Sequence, residues 1–264
     1  MHIISSKPLS LSTLKSIVFE GSAIELSDEV IQKIQECRDY LNQKIEATSD
    51  PIYGINTGFG SLCDVRIHSE NLTKLQENLV RSHACGTGDF VPQPIIKLML
   101  LLKIKSLSFG HSGIQLETVK RLVSFYNNDI LPVIYTQGSL GASGDLAPLA
   151  HLALPLIGEG MVWYKGVQTP ASKVLDIFDW TPITLQSKEG LALLNGTQFM
   201  TAYGVHSLLK SFKLSYMADL IGAMSLDAYD GRIEPFDPLV HLVRPHNGQI
   251  KTAERILSFL EDSK

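Results

Sequence analysis

The stretch Gly138-Ser139-Leu140-Gly141-Ala142-Ser143-Gly144-Asp145-Leu146-Ala147-Pro148 constrains this chain more than any other. Seven of its eleven residues are Gly, Ala or Ser, so little bulk opposes a tight bend. Gly138, Gly141 and Gly144 also admit backbone angles closed to other residues. Bent sharply enough, Ala142-Ser143-Gly144 is a reactive triplet. The Gly144 amide nitrogen attacks the Ala142 carbonyl, and loss of water, the Ser143 hydroxyl included, leaves a ring with an exocyclic alkene. Such a ring is an electrophile, which no ordinary side chain supplies. The apolar run after Asp145 predicts a helix with Pro148 in its first turn, and a helix start beside the ring adds partial positive charge. From composition alone a plainer reading stays open, a glycine turn entering a helix. A phosphate cradle lacks the Walker Lys-Ser/Thr. A hydrolase elbow lacks its last glycine, where Asp145 stands.

The bulk properties narrow the classes. A chain of 264 residues, 44% apolar and 19% charged, holds enough material for a sizeable core. A net charge of −4 without a basic run argues against a nucleic-acid surface. Cys37, Cys63 and Cys85 are few and odd in number, which suits reduced thiols. Residues 1–20 lack the pattern of a signal peptide. The run Leu146–Gly158 is too short for a bilayer and carries His151 and two prolines. The expectation is a cytoplasmic protein with no membrane or nucleic-acid partner.

Along the chain, Ser16–Phe19 and Ala23–Leu26 read as short strands around Gly21. Ser27 reads as the N-cap of an amphipathic helix over 28–46, with Val30, Ile34, Cys37, Leu41 and Ile45 on one face. Ala47–Asp64 is a long loop whose one large polar aromatic is Tyr53. A helix over 69–82 ends near Ser82-His83, closed by Gly86 and Gly88. Helices follow at 94–108 and 115–127. Met161–Gln168 reads as a hairpin turning at Lys165-Gly166, and prolines 170 and 182 flank a connector around Trp180. A short helix over 188–194 stops at Asn195-Gly196. Residues 197–229 predict a long helix, apolar nearly all round and so buried in a subunit core or a bundle, with breaks expected at Gly204 or Gly222. His241 and His246 read as surface residues rather than metal ligands, and a last helix covers 250–262. No repeat or linker divides the chain, so residues 1–264 read as a single mainly helical domain with little β-structure.

Four collinear stretches give this outline a family. Gly141–His151 resembles the signature of the aromatic amino-acid ammonia-lyases. Tyr53-Gly54-Ile55-Asn56-Thr57-Gly58-Phe59-Gly60, Ser82-His83-Ala84, and Lys188–Gln198 resemble three further motifs of that family in the same order. The resemblance implies a mainly α, helical lyase fold with fumarase/aspartase-like helices and a small α+β N-terminal region carrying the glycine loop. It implies that Ala142, Ser143 and Gly144 cyclise autocatalytically to 4-methylideneimidazol-5-one (MIO), with no metal or dissociable cofactor. It makes Tyr53 the candidate general base, which requires a strongly lowered phenol pKa. His83 becomes the contact that reads the substrate ring. Asn195 orients ring or substrate, Gly60 brings backbone close to the bound amino acid, and Gln198 is a further substrate contact.

Ser82-His83 resembles lyases acting on histidine, where those for phenylalanine tend to have Phe-Leu and those for tyrosine His-Leu. The implied reaction is non-oxidative deamination of L-histidine to trans-urocanate and ammonia, a step of histidine catabolism. A tyrosine or phenylalanine lyase and an MIO aminomutase are the alternatives within the class. The resemblance covers only the first half of the family's chain and stops before the segment whose arginine pairs with the substrate carboxylate. The family assembles as a homotetramer. A fragment, a product that works with a complementing C-terminal chain, and a catalytically inactive structural remnant all fit this length.

Overall fold

The computed structural model describes residues 1–48, 50–58, 65, 67–140 and 144–263. Their contacts divide into two compact units, Met1–His206 and Ser207–Lys264. The mainly helical class expected from sequence is observed, with a few small sheets.

The first unit opens with β1 (His2–Ile4), α1 (Leu11–Phe19), β2 (Ile24–Leu26) and α2 (Asp28–Ala47). β1 and β2 pair in parallel, His2 opposite Ile24. Ile24–Leu26 is the strand expected, but the strand read at Ser16–Phe19 lies instead in α1. Ser10 starts that helix by accepting the Thr13 N–H at 3.1 Å, and Leu14, Ile17 and Val18 form one buried face. Burial at helical spacing overrides the β preference of Ile17-Val18-Phe19. α2 runs as predicted, with Ser27 accepting the Val30 N–H at 3.3 Å.

Next come α3 (Leu72–His83), β3 (Thr87–Phe90), α4 (Gln93–Leu107) and α5 (Leu116–Asn127). α3 ends at Ala84, whose N–H reaches back to the Val80 and Arg81 carbonyls. The glycines expected to close it lie beyond, at the entry to β3 and within it. α4 is the centre of the unit. Ile96, Leu98, Met99, Leu100, Leu101 and Ile104 are fully buried, and α5 packs along it. The far end of α5 ties down the first strands. Asn127 accepts the Ile24 N–H and donates to its carbonyl, both at 2.9 Å, and the Tyr126 hydroxyl donates to Ile17 O at 3.1 Å.

The unit is completed by β4 (Leu131–Pro132), β5 (Tyr135–Gln137), α6 (Leu146–Ala153), β6 (Met161–Tyr164), β7 (Val167–Pro170), α7 (Ala171–Ile177), α8 (Glu189–Leu194) and the start of α9 (Gln198–Ala228). β5 pairs antiparallel with β3. β4, β6 and β7 form a three-stranded antiparallel sheet. The expected hairpin turn is present, with Lys165 and Gly166 both at positive φ. α7 replaces part of the connector expected between prolines 170 and 182: Pro170 at its N-cap starts a helix whose Val174 and Leu175 are buried.

α9 runs unbroken, since neither Gly204 nor Gly222 interrupts it. The second unit holds its later turns with α10 (Pro238–Leu242) and α11 (Asn247–Phe259). Ala223, Ile256 and Leu260 form its small core, and Arg255 pairs with Asp219. The covering expected of α9 is that of a subunit core or bundle; within this chain Phe212, Leu214 and Met224 are exposed. His241, read as a surface residue, is buried, with Nδ1 bonded to the Gln249 amide at 2.8 Å. His246 is exposed.

Candidate active site

Three helices of the first unit, α3, α6 and α8, pack against one another in all three pairings. They carry the Ser-His motif, the glycine-loop signature and the Asn-Gly motif respectively. The close approach of α3 and α8 depends on Gly190, where an added Cβ would lie 2.8 Å from the Gln76 carbonyl oxygen. The Gly190 N–H donates to Gln76 Oε1 at 3.0 Å across this contact.

Glu189, beside it, is a fully buried carboxylate that organises the entry to α8. It accepts from the Gln115 N–H (3.0 Å), the Thr118 hydroxyl (2.7 Å), the Gln186 N–H (2.7 Å) and the Gln115 side-chain amide (2.5 Å). Arg38 supplies nearby positive charge. Burial holds its guanidinium below the ordinary range and Glu189 opposes that shift. Its donors go to the Gly113 and Ser187 carbonyls at 3.0 and 2.9 Å. The Lys-Glu-Gly run of the motif is thus a packing device for the segment that follows.

That segment meets the glycine loop directly. Gly144 and Gly196 form a parallel bridge, and the Asp145 N–H donates to Gly196 O at 2.8 Å. Gly144 has φ of 88°, and an added Cβ would clash with Gly196 O. Only glycine satisfies both conditions. The buried Asp145 carboxylate accepts the Ser139 hydroxyl at 2.6 Å and the Met200 N–H at 3.0 Å, so it joins both sides of the loop to the start of α9. The Asn195 carbonyl accepts from Lys103 Nζ at 3.0 Å. The Gln198 side chain packs against Gly196, and its Oε1 is a buried acceptor with no hydrogen-bond partner among the described residues.

His83 is half-buried at the end of α3. Its Nδ1 lies 2.9 Å from Leu79 O and 3.0 Å from Ser82 Oγ. A carbonyl only accepts, so Nδ1 bears the proton in that bond and the Nε2 lone pair of the neutral ring is left as an acceptor. Behind this corner, His151 Nε2 accepts the Gly86 N–H at 3.0 Å, and its ring meets Tyr135 edge-on at 5.1 Å. Burial pushes the His151 imidazole below its ordinary pKa, which keeps it in the neutral form this acceptor role requires.

Tyr53 is exposed in a turn. The buried Asn56 anchors that turn by accepting the Ile52 N–H at 2.6 Å and donating to Asp50 O at 2.9 Å. Ala142, Ser143 and Gly60 lie outside the described residues. Of the predicted site residues, Gly144, Asn195 and Gln198 are brought together, and His83 stands on a helix packed against the same two elements. Sequence reading missed Asp145, Lys103, Glu189 and His151 as parts of this assembly. The available signal was an ionisable residue inside an apolar run, which describes Lys103.

Among the described residues no cluster of three or more His, Cys, Asp or Glu has the arrangement of a metal site, and no helix is long and apolar enough to cross a membrane.

This three-helix corner, with Gly144 bridged to the Asn195-Gly196 segment, has the fold of the helical lyases and aminomutases. The aromatic amino acid lyase family matches residues 9–264, and the chain belongs to it. It is 44% identical over its whole length to histidine ammonia-lyase of Halalkalibacterium halodurans, of which it covers 52%. The crystal structure of histidine ammonia-lyase from Trypanosoma cruzi superposes with a TM-score of 0.88 at 37% identity, over 97% of this chain and 49% of that one. Tyrosine aminomutase from Streptomyces globisporus gives 0.90 at 32% identity, over 97% and 48%. The chain spans about half the length of the curated relatives it matches.

Proposed function

We propose that this chain is the N-terminal half of a cytoplasmic histidine ammonia-lyase, converting L-histidine to trans-urocanate and ammonia in histidine degradation. The observation that carries the reading is the Gly144–Gly196 bridge, which fixes the last residue of the Ala142-Ser143-Gly144 triplet against the Asn195 segment. The triplet fits an MIO group at its described end. Gly144 holds a left-handed conformation pressed on Gly196, and a side chain there would fill the space. When formed, that group supplies the electrophile that captures the substrate's amine or aromatic ring.

The remaining roles belong to ordinary side chains. Tyr53 takes the β-proton of histidine as the Cα–N bond breaks, so the electron pair becomes the Cα–Cβ double bond and the amine leaves as ammonia. His83 reads the imidazole, its Nε2 lone pair accepting a ring N–H. That contact selects histidine over phenylalanine, because a ring without N–H leaves the acceptor unpaired. Asn195 orients the reacting groups, with its backbone held by Lys103. Gln198 Oε1 offers a buried acceptor for the substrate ammonium, and Gly60 lets backbone approach the amino acid.

The substrate carboxylate is left to a complementing C-terminal half that brings an arginine. Without that bidentate contact, binding weakens by roughly 2–5 kcal/mol. The same half, within a homotetramer, covers the exposed apolar residues of α9.

The test is the intact mass of the purified chain and of its peptide 138–150, followed by histidine turnover with the complementing half added. A mass lower by two waters at 142–144, with release of urocanate, supports the reading. An unmodified triplet sinks it in favour of the structural remnant. A β-amino acid product would mark an aminomutase instead, and turnover of tyrosine or phenylalanine alone would reassign the substrate.

A further inference from the structure

Lys103 has no part in the reaction as derived above, yet it stands directly behind the site. It lies in the middle of α4, 1% exposed, between fully buried Leu101 and Ile104. Lysines on apolar helices normally extend their stems until the amine reaches water. This one does not. Among the described residues its single hydrogen bond is to Asn195 O, and no carboxylate pairs with it. Burial alone lowers its ionisation, to about 7. An amine kept dry without a counter-charge is costly, so what it holds matters.

It holds the first link of a short chain of bonds. Asn195 follows the last turn of α8, where carbonyls lack helical partners, and Lys103 occupies its oxygen. One residue on, Gly196 O takes the Asp145 N–H, and Gly196 pairs with Gly144. The Asp145 carboxylate then takes the Met200 N–H and the Ser139 hydroxyl. The bonds run from α4 through the Asn195-Gly196 segment to Gly144 and Asp145 and on to α9. Removing the amine leaves the Asn195 carbonyl without its partner and frees the Asn195-Gly196 segment to shift away from Gly144.

We infer that Lys103 is a positioning residue, whose amine pins the Asn195 carbonyl so that Gly196 stays paired with Gly144 at the reactive triplet. Its consequence for ring formation rests on the proposed function; the pinning does not. A helix-capping lysine would act only on α8. A positioning lysine acts across to Gly144–Leu146, in a different element.

The experiment compares the full chain with Lys103→Met, which keeps the stem and removes the donor, and Lys103→Gln, which keeps a donor on a shorter stem. Hydrogen exchange is read by mass spectrometry on peptides 138–150 and 190–200, with α2 and α5 as internal references. The expected result is exchange about tenfold faster in both peptides of the Met variant, with references unchanged and the Gln variant intermediate. The fraction of chains lighter by two waters falls in the same order. Loosening of 190–200 alone, or of neither peptide, overturns the inference. If Lys103→Met does not fold, the Gln variant is judged against the full chain by the same two peptides. Joint loosening in a chain that never loses the two waters supports the pinning while removing the proposed ring chemistry.

Discussion

α4 and α9 are the same kind of helix in different circumstances. Both are apolar on nearly every face, and neither carries the polar stripe of an ordinary surface helix. α4 is sealed: Leu98, Met99, Leu100 and Leu101 have no exposed surface. Along α9, Phe212 is 61% exposed, Leu214 68% and Met224 63%. The all-round apolar pattern announces that a helix needs covering, not that its own chain covers it. A run of such residues facing outward is the kind of surface that protein contacts occupy, and it agrees with the proposed second half and tetramer.

The largest test of this comparison is a pair of truncations. Leu101→Ala in α4 should lower unfolding stability by about 2–5 kcal/mol, through lost transfer energy and a cavity. Phe212→Ala in α9 should change it by less than about 0.5 kcal/mol. Equal losses in urea titrations would break the distinction.

A polar counterpart in the sealed region comes next. Glu189→Ala strips the partners from four donors and removes the charge facing Arg38, and should cost about 3 kcal/mol. A loss comparable to an exposed substitution would mean that Glu189 is not the organiser of α8.

The third effect is smaller and depends on pH. The His151 pKa is lowered by folding, so the unfolded chain binds the proton more readily. Its contribution is therefore complete above the ordinary histidine value and is lost as pH falls from there through the folded value. Melting temperature should drop by roughly 2–4 °C more between pH 7 and pH 5 than in His151→Phe. An identical pH slope in the two proteins would remove the neutral-acceptor role. The smallest stability effect, near zero, belongs to Phe212→Ser with Met224→Ser. The expected change is in association, with sedimentation showing fewer multimers than the unsubstituted chain. Unchanged association would leave α9 without its assigned use.

How much was legible in the sequence follows from where the information lies. α2 and α5 were readable because their apolar residues repeat at helical spacing and Ser27 caps the former. The turn at Lys165-Gly166 was readable because it is local chemistry. α1 was misread because the β-branched pair Ile17-Val18 says strand locally, while the packing that makes it a helix lies elsewhere. α7 was lost between prolines that looked like connectors, one of which starts it. At the candidate site, motifs alone single out Gly144, Asn195, Gln198 and His83. The motifs do not show what joins them: the Gly144–Gly196 bridge and the Lys103–Asn195 bond unite distant positions, and no local pattern encodes them.

The bridge also sets a timetable. Gly196 is made about fifty residues after Gly144, which at ribosomal rates of about 5–20 residues per second is a delay of several seconds. Until then Gly144 has no bridge partner, because the segment that supplies it has not been synthesised. The loop's constraint is thus a late event in the life of the nascent chain. A pause or cut between Ile157 and Lys188 would leave Gly144 without its Gly196 partner.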